Sequence, residues 1–330
     1  MSQNIINPST NGNSTENIVE NSAENNPPIQ PENSAEVGET SVTQDEQVTS
    51  LGEPSPSRGF KWYDVIVILL LFFLSQGIGA FISVAIGVTP PDAALLKDSD
   101  FEIVENAESQ QARFVAVTFA FAIAICFTLL TIYRILRKWE SHISFRSPSW
   151  GAPFRLLCGY LFLWCVSITL EPLTSILPSD QSALGAGGWL LLSAVLLAPL
   201  LEEVVFRGYI TSGIQYAYGP IAAWIISSII FGIAHGSAGS AINATFCGLV
   251  LGFYYMRYRS LTLVIMLHAM NNLTACFLAT VDLDQTPISE ILGGGKLYWS
   301  IYAVCAIITL LSFVRMYNML KRLKNNKTAY

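Results

Sequence analysis

The first 57 residues contain no lysine and no arginine; Arg58 is the first basic residue of the chain. They hold nine acidic residues and are otherwise rich in Asn, Ser, Thr and Pro. So polar a stretch cannot bury enough apolar surface to offset the entropy of ordering, which predicts a disordered acidic tail over 1–57. No basic stretch followed by an apolar run stands at the extreme N-terminus, so no secretory signal peptide is expected and the first hydrophobic span should direct insertion. Charge is scarce elsewhere too: 13% of the 330 residues are charged and 52% are hydrophobic. Outside the tail, 15 acids face 18 bases, so the net charge of −6 belongs to the tail and not to a partner-binding face. The six cysteines form no CxxC pair and all fall in apolar stretches. That pattern excludes a disulfide framework and a thiolate metal site, and they read as small buried residues. No phosphate-binding glycine loop followed by Lys-Ser/Thr occurs, and nothing supports nucleic-acid, nucleotide or redox-cofactor binding.

What remains is hydrophobic. A membrane-spanning helix needs ~20 mostly apolar residues. Eight stretches qualify or nearly so: 63–88, 114–133, 154–177, 189–209, 221–235, 238–255, 261–281 and 298–317. The fold class expected is all-α, a polytopic membrane bundle of about eight transmembrane helices with a disordered N-terminal tail. Residues 58–183 would form the N-terminal transmembrane helices, and 283–330 a C-terminal transmembrane helix and basic tail. Arg58 and Lys61, then Arg134, Arg137, Lys138, Arg146 and Arg155, then Arg257 and Arg259, then Lys321, Arg322, Lys324 and Lys327 all fall on one side of an eight-span arrangement. The opposite loops hold Asp92, Asp98, Asp100, Glu102, Glu105, Glu108, Asp180, Asp282, Asp284 and Glu290. By the positive-inside rule both termini face the cytoplasm. Glu171-Pro172 reads as a kink at a helix end, and Pro199 as a bend in the fourth span.

Within that fourth span stand Glu202 and Glu203, with Arg207 beyond. A charge at the bilayer centre costs ~2.5–3.5 kcal/mol or more, so adjacent carboxylates there need partners and a use. On a helix Glu203 and Arg207 share a face at i, i+4, while Glu202 points about 100° away. The spacing divides labour between one structural carboxylate and one reactive one. The bland alternative is an ion network that fastens helices. Phe231-Gly-Ile-Ala-His235 ends the fifth span, and His268-Ala-Met-Asn-Asn272 lies in the seventh. His268 and Asn272 share a face, suited to addressing one substrate carbonyl; Asn271 points elsewhere. A carboxylate in low-dielectric surroundings can act as general base near neutral pH. Donors aimed at a developing oxyanion supply a large catalytic term.

Glu-Glu-x-x-x-Arg, Phe-x-x-x-His and His-x-x-x-Asn, each in a hydrophobic helix and in this order, resemble the CPBP family, the CAAX protease and bacteriocin-processing or Abi family. That family includes the type II CAAX prenyl endopeptidase. The resemblance covers under a third of the chain and marks 184–282 as the catalytic helices. It implies an intramembrane endopeptidase of the CAAX-type processing class. Glu202 would activate a water with help from His235, His268 and Asn272 would steady the oxyanion, and Glu203 and Arg207 would support them. It implies a membrane-anchored or lipidated protein or peptide as substrate and the lipid bilayer as surroundings. The family is often labelled a metalloprotease. A metal-free site is favoured here, because no HExxH motif occurs; the alternative is zinc on Glu202, His235 and His268. Two other readings stand beside the peptidase: a proton-coupled transporter, since intramembrane Glu, His and Arg also build proton relays, and a non-catalytic immunity or scaffold member of the same fold.

Overall fold

A computed structural model describes residues 59–97, 100–139, 145, 151–177, 186–281, 283 and 286–325. The tail expected over 1–57 lies outside the described residues, as do Arg58, Asp98, Arg146, Asp180, Asp282, Asp284 and Lys327 among the charges used to orient the chain. Eight principal helices follow one another: α1 (Trp62–Ala85), α2 (Phe101–Arg137), α3 (Ala152–Thr174), α4 (Gly188–Tyr218), α5 (Pro220–Ile233), α6 (Ala238–Tyr258), α7 (Leu261–Thr280) and α8 (Lys296–Asn325). No strand occurs among the described residues. Each expected apolar stretch is met by one helix. Of these, α1, α2, α3, α4, α7 and α8 are long and apolar enough to cross a membrane. The chain is an integral, multi-pass membrane protein.

The other two helices form a hairpin. With 14 residues, α5 is short of a full span; it rises ~21 Å against a hydrocarbon core of ~30 Å. Its partner α6 has 21 residues. The two pack closely because small residues face each other, the usual device where lipid offers no hydrophobic drive for association. A Cβ on Gly232 would lie 1.9 Å from Thr245 Oγ1 and 2.5 Å from the Ala241 carbonyl. Only glycine allows that approach, and it stands in the last turn of α5, three residues before His235.

Hydropathy alone understates α2 and α4. The 37 residues of α2 begin at Phe101, well ahead of the apolar stretch expected at 114–133. Asp100 starts the helix by accepting a hydrogen bond from the Glu102 amide at 3.0 Å, satisfying one of the orphan donors of the first turn. Ala107, Ala112 and Ala116 bury one face of the extension, while Glu102 and Glu105 stay exposed. Such a face carries a helix past the end of its hydrophobic run. The helix α4 continues through Tyr218 and is the central one. In α4, 56% of the apolar window is buried, against 17–33% in the other five spans.

Two polar clusters lie away from α4. Asp64, buried in the first turn of α1, accepts from Arg137 Nε at 2.8 Å and Nη2 at 3.0 Å, from Tyr133 Oη, and from the Lys61 amide at 2.6 Å. This bidentate pairing ties the start of α1 to the end of α2. Glu171, buried near the end of α3, accepts from Tyr298 Oη of α8 at 2.5 Å and from Ser289 Oγ at 3.3 Å. The position expected to be a kink is therefore also a hydrogen-bonded joint between α3 and α8.

Candidate active site

The register of α4 changes twice around the charged pair. Leu191–Leu197 and Val204–Thr211 are wound as π-helix, and Ala198–Glu203 between them as α-helix. Pi-helical turns interrupt α-helices mostly at functional sites, because they re-aim side chains. The widened turns have local supports: Thr211 Oγ1 donates to the Phe206 carbonyl at 2.8 Å and Ser212 Oγ to the Arg207 carbonyl at 3.0 Å, each five residues back.

Glu203 is fully buried and accepts on one oxygen from two cationic or cationisable groups. Arg207 Nη1 lies 3.0 Å and His268 Nδ1 2.8 Å from Glu203 Oε1. The Arg207 side chain is itself 2% exposed, with its guanidinium 4.2 Å from the centre of the Phe231 ring. A carboxylate buried so deeply is tolerable only when paired. The i, i+4 pairing expected from the sequence is present; the link to His268, across two helices, is not legible from spacing.

Glu202 has a different environment, as the 100° offset predicts. Its side chain is 19% exposed, and its Oε2 lies 3.9 Å from Nε2 of His235, which is 31% exposed. That distance is too long for a hydrogen bond and suits a bridging water. His235 follows the end of α5, where Gly236 takes a φ of 80° and turns the chain into α6. Its Nδ1 lies 2.8 Å from the Phe231 carbonyl. A carbonyl only accepts, so Nδ1 carries a proton; in the neutral ring Nε2 is then an acceptor, and in that form two acceptors face each other across the gap.

Phe231 is the common wall. Its ring lies 5.0 Å from Phe206, 4.6 Å from His235 and 5.9 Å from His268, centre to centre, in edge-on arrangements. Its ring covers the Arg207 guanidinium while its own carbonyl orients His235. The sequence marked Phe231 as part of a motif, but gave no signal that it touches Arg207.

On α7, His268 and Asn272 both turn toward α4, as their i, i+4 spacing implies. They do not meet one common atom: His268 holds Glu203, and Asn272 Nδ2 donates to the Ala194 carbonyl at 2.8 Å. Among the described residues no three His, Cys, Asp or Glu side chains gather at metal-binding separation, the set Glu202, His235 and His268 included.

Comparison with known proteins defines the class of this segment. Residues 185–274 match the family described as Type II CAAX prenyl endopeptidase Rce1-like. The match takes in α4 to most of α7 and all of Glu202, Glu203, Arg207, His235, His268 and Asn272. The match agrees with the resemblance drawn from the three motifs and falls on the same segment. The "Putative membrane peptidase YdiL" of Bacillus subtilis (strain 168) is 32% identical over 77 residues, which are 23% of this chain and 32% of that protein. The chain thus spans about a third of the length of that curated relative. No solved structure matches the chain.

Proposed function

We propose that the protein is an intramembrane endopeptidase that hydrolyses a peptide bond of a membrane-anchored substrate with a glutamate-activated water. The observation that carries this reading is the facing pair Glu202 Oε2 and His235 Nε2, 3.9 Å apart; with the His235 ring neutral, both are acceptors. A water between them donates one hydrogen to each, which leaves its lone pairs directed at a substrate carbonyl. As the water oxygen bonds to the carbonyl carbon, Glu202 takes one proton and the carbonyl electrons move onto oxygen. Collapse of the tetrahedral intermediate breaks the C–N bond, and the proton held on Glu202 passes to the leaving nitrogen. General-base assistance of this kind contributes ~10²–10⁴-fold.

The oxyanion is steadied by Asn272 and His268. Asn272 has a second amide hydrogen beyond the one given to Ala194. His268 donates from Nε2 only as imidazolium, since Nδ1–H is spent on Glu203. Glu203 and Arg207 act by holding His268. The roles require no metal, and none is assigned.

The matched family supports a prenylated C-terminal CAAX segment as the substrate class. The test is cleavage of a fluorogenic peptide ending in a farnesylated CAAX sequence by purified protein in proteoliposomes, with the unprenylated peptide as control. Wild type should cleave the prenylated peptide, and Glu202→Gln should lose at least ~100-fold of kcat while unfolding at the wild-type temperature. Cleavage by Glu202→Gln at the wild-type rate would remove Glu202 from the reaction.

A further inference from the structure

The hydrogen bond from Asn272 to Ala194 answers a defect that the sequence creates in α4. In the π-helical turn of Leu191–Leu197, the amide of Ala198 bonds to the Ser193 carbonyl, five residues back. In an α-helix that amide would serve Ala194. The next amide in the π register would come from residue 199, but residue 199 is proline and has no N–H. Ala194 thus has neither its α-helical nor its π-helical donor. An unpaired carbonyl in such a place costs free energy comparable to a lost hydrogen bond. Asn272 Nδ2, reaching across from α7, supplies the donor at 2.8 Å.

The arrangement fixes more than stability. A carbonyl oxygen only accepts, so the nitrogen end of the Asn272 amide must face Ala194. The amide is thereby held in one of its two flip states. Its second N–H lies in the same plane, at a set angle to the first. His268, one turn earlier on α7, is pinned to Glu203 at the other end of the same helix face. Two interhelical bonds, four residues apart on α7 and nine apart on α4, lock α7 against α4.

We infer that Pro199 is a positioning residue for the hydrolytic site: by leaving the Ala194 carbonyl without an in-helix donor, it creates the acceptor that orients Asn272. This rests on the peptidase reading for its catalytic consequence, but not for the bond itself. Pro199→Ala restores an amide hydrogen to α4. Whichever register the helix then takes, Ala194 gains a backbone donor: residue 199 in the π register, Ala198 in the α register. Asn272 loses its exclusive claim on Ala194 and its amide is released.

The test is a double-mutant cycle on the full chain with Pro199→Ala, Asn272→Leu and the double variant, read by thermal unfolding and by cleavage of the farnesylated CAAX peptide. Asn272→Leu should lower the unfolding temperature, because it strands the Ala194 carbonyl. Adding Pro199→Ala should recover most of that loss, because the backbone then satisfies the carbonyl. Asn272→Ala serves the same purpose if the leucine does not fit. In cleavage, Pro199→Ala alone should lower kcat by on the order of 10–100-fold with KM nearly unchanged, since a displacement of ~1 Å in a positioned group costs about 100-fold. In the Asn272→Leu background it should lower kcat no further. A merely structural proline would change stability without this split between kcat and KM. Additive losses of unfolding temperature overturn the inference whatever the peptide does. A coupled unfolding cycle with unchanged kcat in Pro199→Ala overturns the positioning role. A coupled cycle in a wild type that cleaves no prenylated peptide leaves the bond established and counts against the peptidase reading instead.

Discussion

Glu203 should be a stability residue, and its removal should cost more than that of any other single side chain in α4. Its side chain is 0% exposed and accepts from both Arg207 and His268 on Oε1. In Glu203→Ala the Arg207 guanidinium stays buried, with one nitrogen, Nη2, already unpartnered and the Phe231 ring centre 4.2 Å away. Removing one member of a buried ion pair costs about 3–5 kcal/mol, because the other charge is left uncompensated. Glu203→Gln keeps an oxygen for both donors but removes the negative charge that compensates Arg207, so its loss should be smaller than that of Glu203→Ala while remaining a loss. The double variant Glu203→Leu with Arg207→Met removes both charges. It should recover most of the Glu203→Ala loss and leave about 1–3 kcal/mol for the stranded His268 Nδ1. Reversible unfolding in mixed micelles over a denaturing-detergent gradient would rank the four proteins. The losses should also persist at high salt, since buried pairs are little screened. A Glu203→Ala protein within ~0.5 kcal/mol of wild type, the range of ordinary surface changes, would refute the reasoning.

Other expectations follow from geometry already described. Gly232→Val should force α5 and α6 apart, since even a Cβ would meet Thr245 Oγ1 at 1.9 Å. Overpacking of this kind costs about 1–3 kcal/mol and should lower cleavage by displacing His235; unchanged unfolding and unchanged cleavage would contradict the close contact. His235→Ala should lower kcat by at least ~100-fold, whereas Asn271→Leu should do much less; equal effects would contradict the assignment. With both termini proposed to be cytoplasmic, reporters fused at Lys321 and near Glu105 should report opposite sides of the membrane, and the same side for both would reject the orientation.

The parts of this molecule legible in its sequence are those governed by local chemistry. Eight apolar stretches predicted eight helices because hydrocarbon leaves the backbone no other way to satisfy its polar groups. The Glu203–Arg207 pairing and the separate outlook of Glu202 followed from helical geometry alone. What sequence could not supply was set by neighbours across space. The extension of α2 over 101–113 is helical because small residues there face the bundle, which a hydropathy window cannot register. His268 and Asn272 were legible as one face of α7, but not as holding two different atoms, Glu203 Oε1 and the Ala194 carbonyl. Pro199 was legible as a local disturbance; that Asn272 repairs it depends on the π-helical turn, which no residue pattern announced. Glu171 read as a kink because its partners, Tyr298 and Ser289, lie far along the chain.

The central claim is that Glu202 activates a water that cuts membrane-associated protein. It is tested most directly by cataloguing new protein N-termini in membranes from cells that carry wild type or Glu202→Gln at matched levels. The account predicts a set of cleavage products present with wild type and absent with Glu202→Gln, accompanied by accumulation of the uncut precursors. Identical sets of N-termini in the two membranes, with both proteins folded and equally abundant, would contradict it.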